Sequence, residues 1–130
     1  MAAEKLFENK IKAWLKSEGI YPLGTPRNKM LIKPCGYWEK RWGGGTFTKA
    51  GLPDLHIVVY GKSIDIEVKA PSGKPSELQL FTINQINECG GKALLLYPKD
   101  FLILKNLIKE EKQKWQVCMK STKKFWVVLT

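Results

Sequence analysis

The sequence predicts a single α/β domain. Three observations carry that prediction: a leading stretch with apolar residues at helical spacing, two adjacent β-rich runs that alternate polar and apolar residues, and a second helical stretch opened by a capping signal at Ser76. A chain of 130 residues, 44% of them hydrophobic and with five Trp, four Tyr and five Phe, has material for one core and excludes disorder as its main state. No repeat, low-complexity linker or shift in composition divides it.

The elements follow in order. Ala3 to Glu18 places Phe7, Ile11, Trp14 and Leu15 on one stripe, with lysines 5, 10, 12 and 16 outside it, and stops before Gly19. This predicts an amphipathic helix. At about 100° per residue, Glu8 projects within roughly 20° of Leu15, at the border of the buried face. Either its long side chain reaches past the edge to water, or it serves a metal or substrate.

From Gly19 to Gly51, Pro22, Pro26 and Pro34 break regularity, and Met30–Lys33 has the letters of a short strand. Tyr37, Trp38, Arg41 and Trp42 then interleave aromatic and basic residues before Gly43-Gly44-Gly45. Such a segment can stack bases and hold phosphates. Core tryptophans beside a loop would give the same letters.

Leu55–Tyr60 and Ser63–Lys69 flank Gly61-Lys62, a pair suited to a two-residue hairpin with glycine first. Tyr60 then faces Ser63, Val58 meets Asp65, His56 meets Glu67 and Asp54 meets Lys69. Alternation puts Asp54, His56, Asp65, Glu67 and Lys69 on one face and Leu55, Ile57, Val59, Ile64, Ile66 and Val68 on the other. Asp54 and Glu67 become diagonal neighbours, about 7–8 Å apart.

Pro71 to Pro75 reads as a loop, and Ser76 begins a helix running to Cys89. Ser76-x-x-Gln79 has the form of a capping box, yet Gln79 also falls among Leu78, Ile83 and Ile86, toward the sheet and its carboxylates. Lys92–Tyr97 reads as a buried strand, Asp100–Lys109 as a short amphipathic helix and Phe125–Leu129 as a closing strand, paired within the chain or across a dimer. Lys109 to Lys124 carries no clear assignment.

Lys+Arg number 22 against 12 Asp+Glu, a net charge of +10, and only Arg27 and Arg41 are arginine. That balance suits point contacts with phosphate. Apolar runs such as Ala93–Tyr97 are far short of the roughly 18 residues of a membrane span, and the opening Met1-Ala2-Ala3-Glu4-Lys5 has no signal-peptide core. A soluble, cytoplasmic protein is the expectation. Cys35, Cys89 and Cys118 include no C-x-x-C pair and His56 is the sole histidine, which argues against a disulfide framework or a zinc site. Catalysis would fall to carboxylates and lysines.

Asp54 and Glu67 side by side could share Mg²⁺, a hard ion that takes oxygen ligands, and Lys69 could orient a water or meet charge on a phosphate. A solvent-facing strand with an Asp54–Lys69 salt bridge is the plainer alternative.

Gly51-Leu52-Pro53-Asp54-Leu55, then Ile66-Glu67-Val68-Lys69-Ala70, then Gly73-Lys74-Pro75-Ser76-Glu77-Leu78-Gln79 resemble the PD-(D/E)xK nucleases and, within them, the VRR-NUC family of small nuclease domains. The resemblance covers roughly residues 3–109 of one domain spanning 1–130, with 110–130 as an extra C-terminal segment. It implies a restriction-endonuclease-like core, a mixed central β-sheet flanked by helices, and metal-dependent hydrolysis of DNA phosphodiesters. Asp54, Glu67, Lys69 and Gln79 would be the catalytic set. Asp54, Glu67 and the Val68 carbonyl would hold Mg²⁺, with Mn²⁺ able to substitute, and Glu8 would be the leading-helix carboxylate, with Glu4 the second candidate. Stand-alone relatives are typical of phages and bacteria and act as homodimers on branched DNA such as four-way Holliday junctions, so the location implied is the cytoplasm of a bacterium or of a phage-infected host. Lysines 29, 33, 40, 49 and 74 would line the approach, with Lys40, Arg41, Lys49 and Lys74 as DNA contacts. A catalytically silent DNA-binding module, and a nuclease of ordinary duplex or single-stranded DNA, are the rival readings.

Overall fold

The computed structural model describes residues 2–41 and 50–129, with side chains through residue 120. The helix α1 (Ala2–Ser17) leads into the short strand β1 (Ile20–Pro22), followed by β2 (Gly36–Lys40), β3 (Leu55–Val59), β4 (Lys62–Val68), α2 (Glu77–Glu88), β5 (Ala93–Leu96) and α3 (Phe101–Leu129). The strands form one five-stranded mixed sheet in chain order, β1 parallel to β2, β2–β3–β4 antiparallel and β5 parallel to β4. The expected mixed sheet flanked by helices is therefore present.

One face of the sheet is the core. Leu55, Ile57, Val59, Ile64, Ile66 and Val68 alternate onto it, and Phe7, Ile11 and Leu15 of α1 and Leu104 and Ile108 of α3 cover it. Phe101 anchors α3 edge-on to Phe7 (5.6 Å) and Trp14 (6.1 Å), a favourable arrangement for aromatic quadrupoles. The opposite face is polar and carries Asp65 and Glu67 beside Ala93 and Leu95. Here α2 packs along β5. Asn87 closes that edge strand by accepting from the Ala93 N–H (2.8 Å) and donating to its carbonyl (3.1 Å).

Four expectations change. No strand forms at 30–33; the strand lies at Gly36–Lys40, where a partner exists on each side. Gly36 is required there, because a Cβ would meet the Val58 carbonyl oxygen at 2.1 Å. The hairpin turns one residue early, on Tyr60-Gly61, with Val59 facing Lys62. Both turn residues have positive φ, +46° and +80°, the geometry of a type I′ turn. A tyrosine there is costly, and its compensation is tertiary: its ring stacks on Trp115 of α3 at 4.9 Å and 10°. Trp115→Ala is expected to lower stability by about 1–2 kcal/mol, read as a shift in urea midpoint with an unchanged slope.

The short helix and closing strand expected after Asp100 are instead one helix of 29 residues. No Gly or Pro interrupts residues 99–129, and continuing a helix adds a backbone bond per residue without needing a partner edge. The fourth change, at Glu8, belongs to the site below.

Candidate active site

The early turn shifts the strand register but preserves which residues share a face. Leu55 pairs with Ile66, so Asp54 comes directly opposite Glu67 rather than diagonal to it. The ladder stops there because the two residues clasp each other through side chains. The Asp54 N–H donates to Glu67 Oε2 (3.2 Å), and Asp54 Oδ2 accepts from the Val68 N–H (2.9 Å). Both carboxylates are thereby fixed in direction.

Glu67 is only 2% exposed. Burial, and then the neighbouring Asp54 carboxylate, push its pKa up to about 8, against the pull of Lys69. Lys69 Nζ stands 3.8 Å from Glu67 Oε1, one strand alternation beyond it on the same face. Gln79 completes the group. Its side-chain oxygen accepts from the Ser76 N–H (2.9 Å), its backbone N–H donates to Ser76 Oγ (3.1 Å), and its Nε2 donates to Glu67 Oε1. The capping box and the reach toward the sheet are thus one side chain's two ends.

Asp54, Glu67, Lys69 and Gln79 are brought together as expected. Val68 contributes its N–H to Asp54, with its side chain fully buried in the core. Glu8 is not brought to them. It is buried, 4% exposed, on the α1 side of the sheet, where it receives Lys40 (2.6 Å), Lys12 (2.9 Å) and Lys5 (3.2 Å). Burial alone would raise its pKa, but the hydrogen bonds from these lysines outweigh it and hold the carboxyl at about 2. A carboxylate so saturated with ammonium groups is an internal anchor. Glu4, the second candidate, is half-buried on the same helix. Among the described residues, no three His, Cys, Asp or Glu side chains group closely enough to hold a metal ion.

The expected DNA contacts divide. Lys40 turns inward to Glu8, because strand alternation from the core-packed Trp38 puts it on the α1 side. Arg41 lies on the polar face, its backbone N–H on the Asp54 carbonyl (2.7 Å) and its guanidinium on Asp65 Oδ1 (3.2 Å). Lys74 is exposed in the loop after β4. Lys49, Trp42 and Gly43-Gly44-Gly45 lie outside the described residues.

One cluster was not foreseen. His56 Nδ1 lies 2.7 Å from Asp65 Oδ1, beside Arg41. The sequence placed His56 and Asp65 on one face, but the expected register paired each with another residue, and β2 was unrecognised.

All protein donors at the Asp54–Glu67 pair are oxygens, which suits Mg²⁺ or Mn²⁺. Burial first, and then repulsion from Asp54, raises Glu67, and a cation would offset both. Such ions commonly take one or two carboxylates and leave the remaining positions to water and phosphate oxygens, so a pair without a third carboxylate fits. No family model, no curated protein and no solved structure matches the chain.

Proposed function

We propose that the protein is a metal-dependent endonuclease of the PD-(D/E)xK type that hydrolyses DNA phosphodiester bonds, with branched DNA as its expected substrate and a homodimer as its expected form. One observation carries the reading. Two carboxylates, Glu67 on β4 and Asp54 just before β3, are locked against each other on the sheet's polar face, with a lysine ammonium 3.8 Å from one of them. Burying Glu67 beside Asp54 works against the fold, a cost that a bound cation would offset.

Asp54 and Glu67, with the Val68 carbonyl, would hold Mg²⁺ or Mn²⁺, which when bound supplies polarisation of a phosphoryl oxygen and acidification of a water. Lys69 lies where it can donate to a non-bridging phosphate oxygen as charge develops, or hold the attacking water by its lone pair. Gln79 holds the Glu67 carboxylate in rotation, so that it would not need to reorganise to hold the metal. Arg41 and Lys74, flanking the site, would hold phosphates of the same strand. In a dimer, two such sites related by a two-fold axis would suit symmetric cuts in two strands.

The test is cleavage of a labelled four-way junction, a linear duplex and a single strand in Mg²⁺, Mn²⁺ or EDTA, by wild type and Lys69→Ala. Metal-dependent cutting of the junction alone, reduced about 10²-fold or more in Lys69→Ala, is the expected result. Cutting of all three substrates removes the branch preference and leaves the chemistry. Tight binding without cutting in any metal replaces the nuclease with the silent binding module.

A further inference from the structure

A cavity of about 610 Å³ opens at the carboxyl ends of the parallel strands β4 and β5. The volume falls within the roughly 300–1,000 Å³ of small-ligand sites. Its lining includes the flat apolar surfaces of Pro71, Pro98 and Tyr97, with the exposed ammonium-bearing side chains of Lys74 and Lys99 beside them. The Tyr97 hydroxyl donates to the Gly73 carbonyl (2.8 Å), which fixes the ring, and Lys99 Nζ lies 5.9 Å from the ring centroid. Gly73 also joins the cavity to the candidate active site, since a Cβ there would lie 3.4 Å from the Lys69 side chain.

We infer that this cavity receives an unpaired nucleotide of the DNA strand adjoining the phosphate to be cut, its base against Tyr97 and the two prolines and its phosphate between Lys74 and Lys99. The placement beside a scissile phosphate rests on the nuclease reading above; the occupant follows from the cavity's own chemistry. A base is flat, with two apolar faces, and carries an anion one sugar away, which matches an apolar recess beside two cations. A base inside a duplex cannot enter a recess without leaving its stack. The substrate class is therefore DNA with an unpaired segment at the cleavage point, such as a flap, a gap or an opened branch. With the Tyr97 hydroxyl already engaged by Gly73, recognition is through stacking and charge and tolerates any base.

The test uses the full chain in EDTA, so that binding is read without cleavage. A 2-aminopurine is placed either in the single-stranded arm next to a duplex or paired within it, and its fluorescence and the anisotropy of a distant label are followed. Wild type is expected to quench the unpaired probe and leave the paired one unchanged. Tyr97→Leu is expected to abolish the quenching and weaken binding about tenfold. Because losing the Tyr97–Gly73 hydrogen bond can disturb the loop, the exposed pair Lys74→Gln/Lys99→Gln serves as the second variant, expected to reduce the slope of log affinity against log salt by about one to two. Unchanged quenching in a folded Tyr97→Leu protein, an unchanged salt slope in the double variant, or equal competition by free dAMP each overturns the inference. Cleavage in Mg²⁺ is scored separately: quenching through Tyr97 without any cutting supports the cavity's occupant and removes only the nuclease reading.

Discussion

Glu67→Gln is expected to reduce DNA cleavage by about 10³-fold or more while removing the fall in melting temperature of the metal-free protein between pH 5 and 8. Loss of a carboxylate ligand accounts for the first effect. The second follows from where the charge is kept. Glu67 is buried against Asp54 with its pKa raised to about 8, so the unfolded chain gives up this proton near pH 4.5 and the folded chain only near 8. The favourable contribution of the protonated form is complete below about 4.5 and is lost as pH rises through 8. In EDTA the wild-type melting temperature should therefore fall relative to that of Glu67→Gln between pH 5 and 8, and Mg²⁺ should restore it in wild type alone. Thermal melts at several pH values, beside junction cleavage, check both parts. A variant that keeps the wild-type fall and still cuts DNA would remove Glu67 from the site.

The second large effect lies on the other side of the sheet. Glu8→Ala is expected to cost about 3 kcal/mol, because it strips three ammonium groups, two of them largely buried, of their common partner. The carboxyl's depressed pKa means that this stabilisation is present above about pH 4.5 and is lost as pH falls toward 2, so Glu8→Ala and wild type should converge in acid. Urea denaturation at pH 7 and pH 3 measures the difference. Cleavage per folded molecule should be unchanged within a few-fold. Its abolition in a protein of wild-type stability would instead make Glu8 the metal ligand that the resemblance implied.

What could be read from the sequence was what is decided locally. The stripe of α1, the alternation of β3 and β4 and the cap of α2 depend on residues within a turn or two of each other, and each element appears within a residue or two of its expected bounds. The shared face of Asp54 and Glu67 was also legible, because shifting the turn by one residue moves both strands' pairing together and leaves each side chain's face unchanged. The rest depended on distant partners. The turn residue Tyr60 packs on Trp115, far along the chain from it. Strand β2 pairs with β1 and β3 on either side, and Tyr37 and Trp38, taken together with Arg41 and Trp42, resembled a stacking segment more than part of a half-buried strand. Glu8 pointed to a metal only while Lys40, 32 residues away, was unplaced.

Gln79 carries a consequence for how this sequence can vary. Capping boxes accept Glu as readily as Gln at this position, so selection for helix stability alone would treat the two as interchangeable. Here only the amide has a donor to turn toward Glu67 while its oxygen answers the Ser76 N–H; a glutamate would keep the cap, offer Glu67 no donor and set a third carboxyl group against Asp54 and Glu67. Helix capping leaves the position open to Glu, and the carboxylate pair closes it. A library sorted by cleavage should therefore keep Gln at position 79, and Glu should enter only where Asp54 or Glu67 has been neutralised.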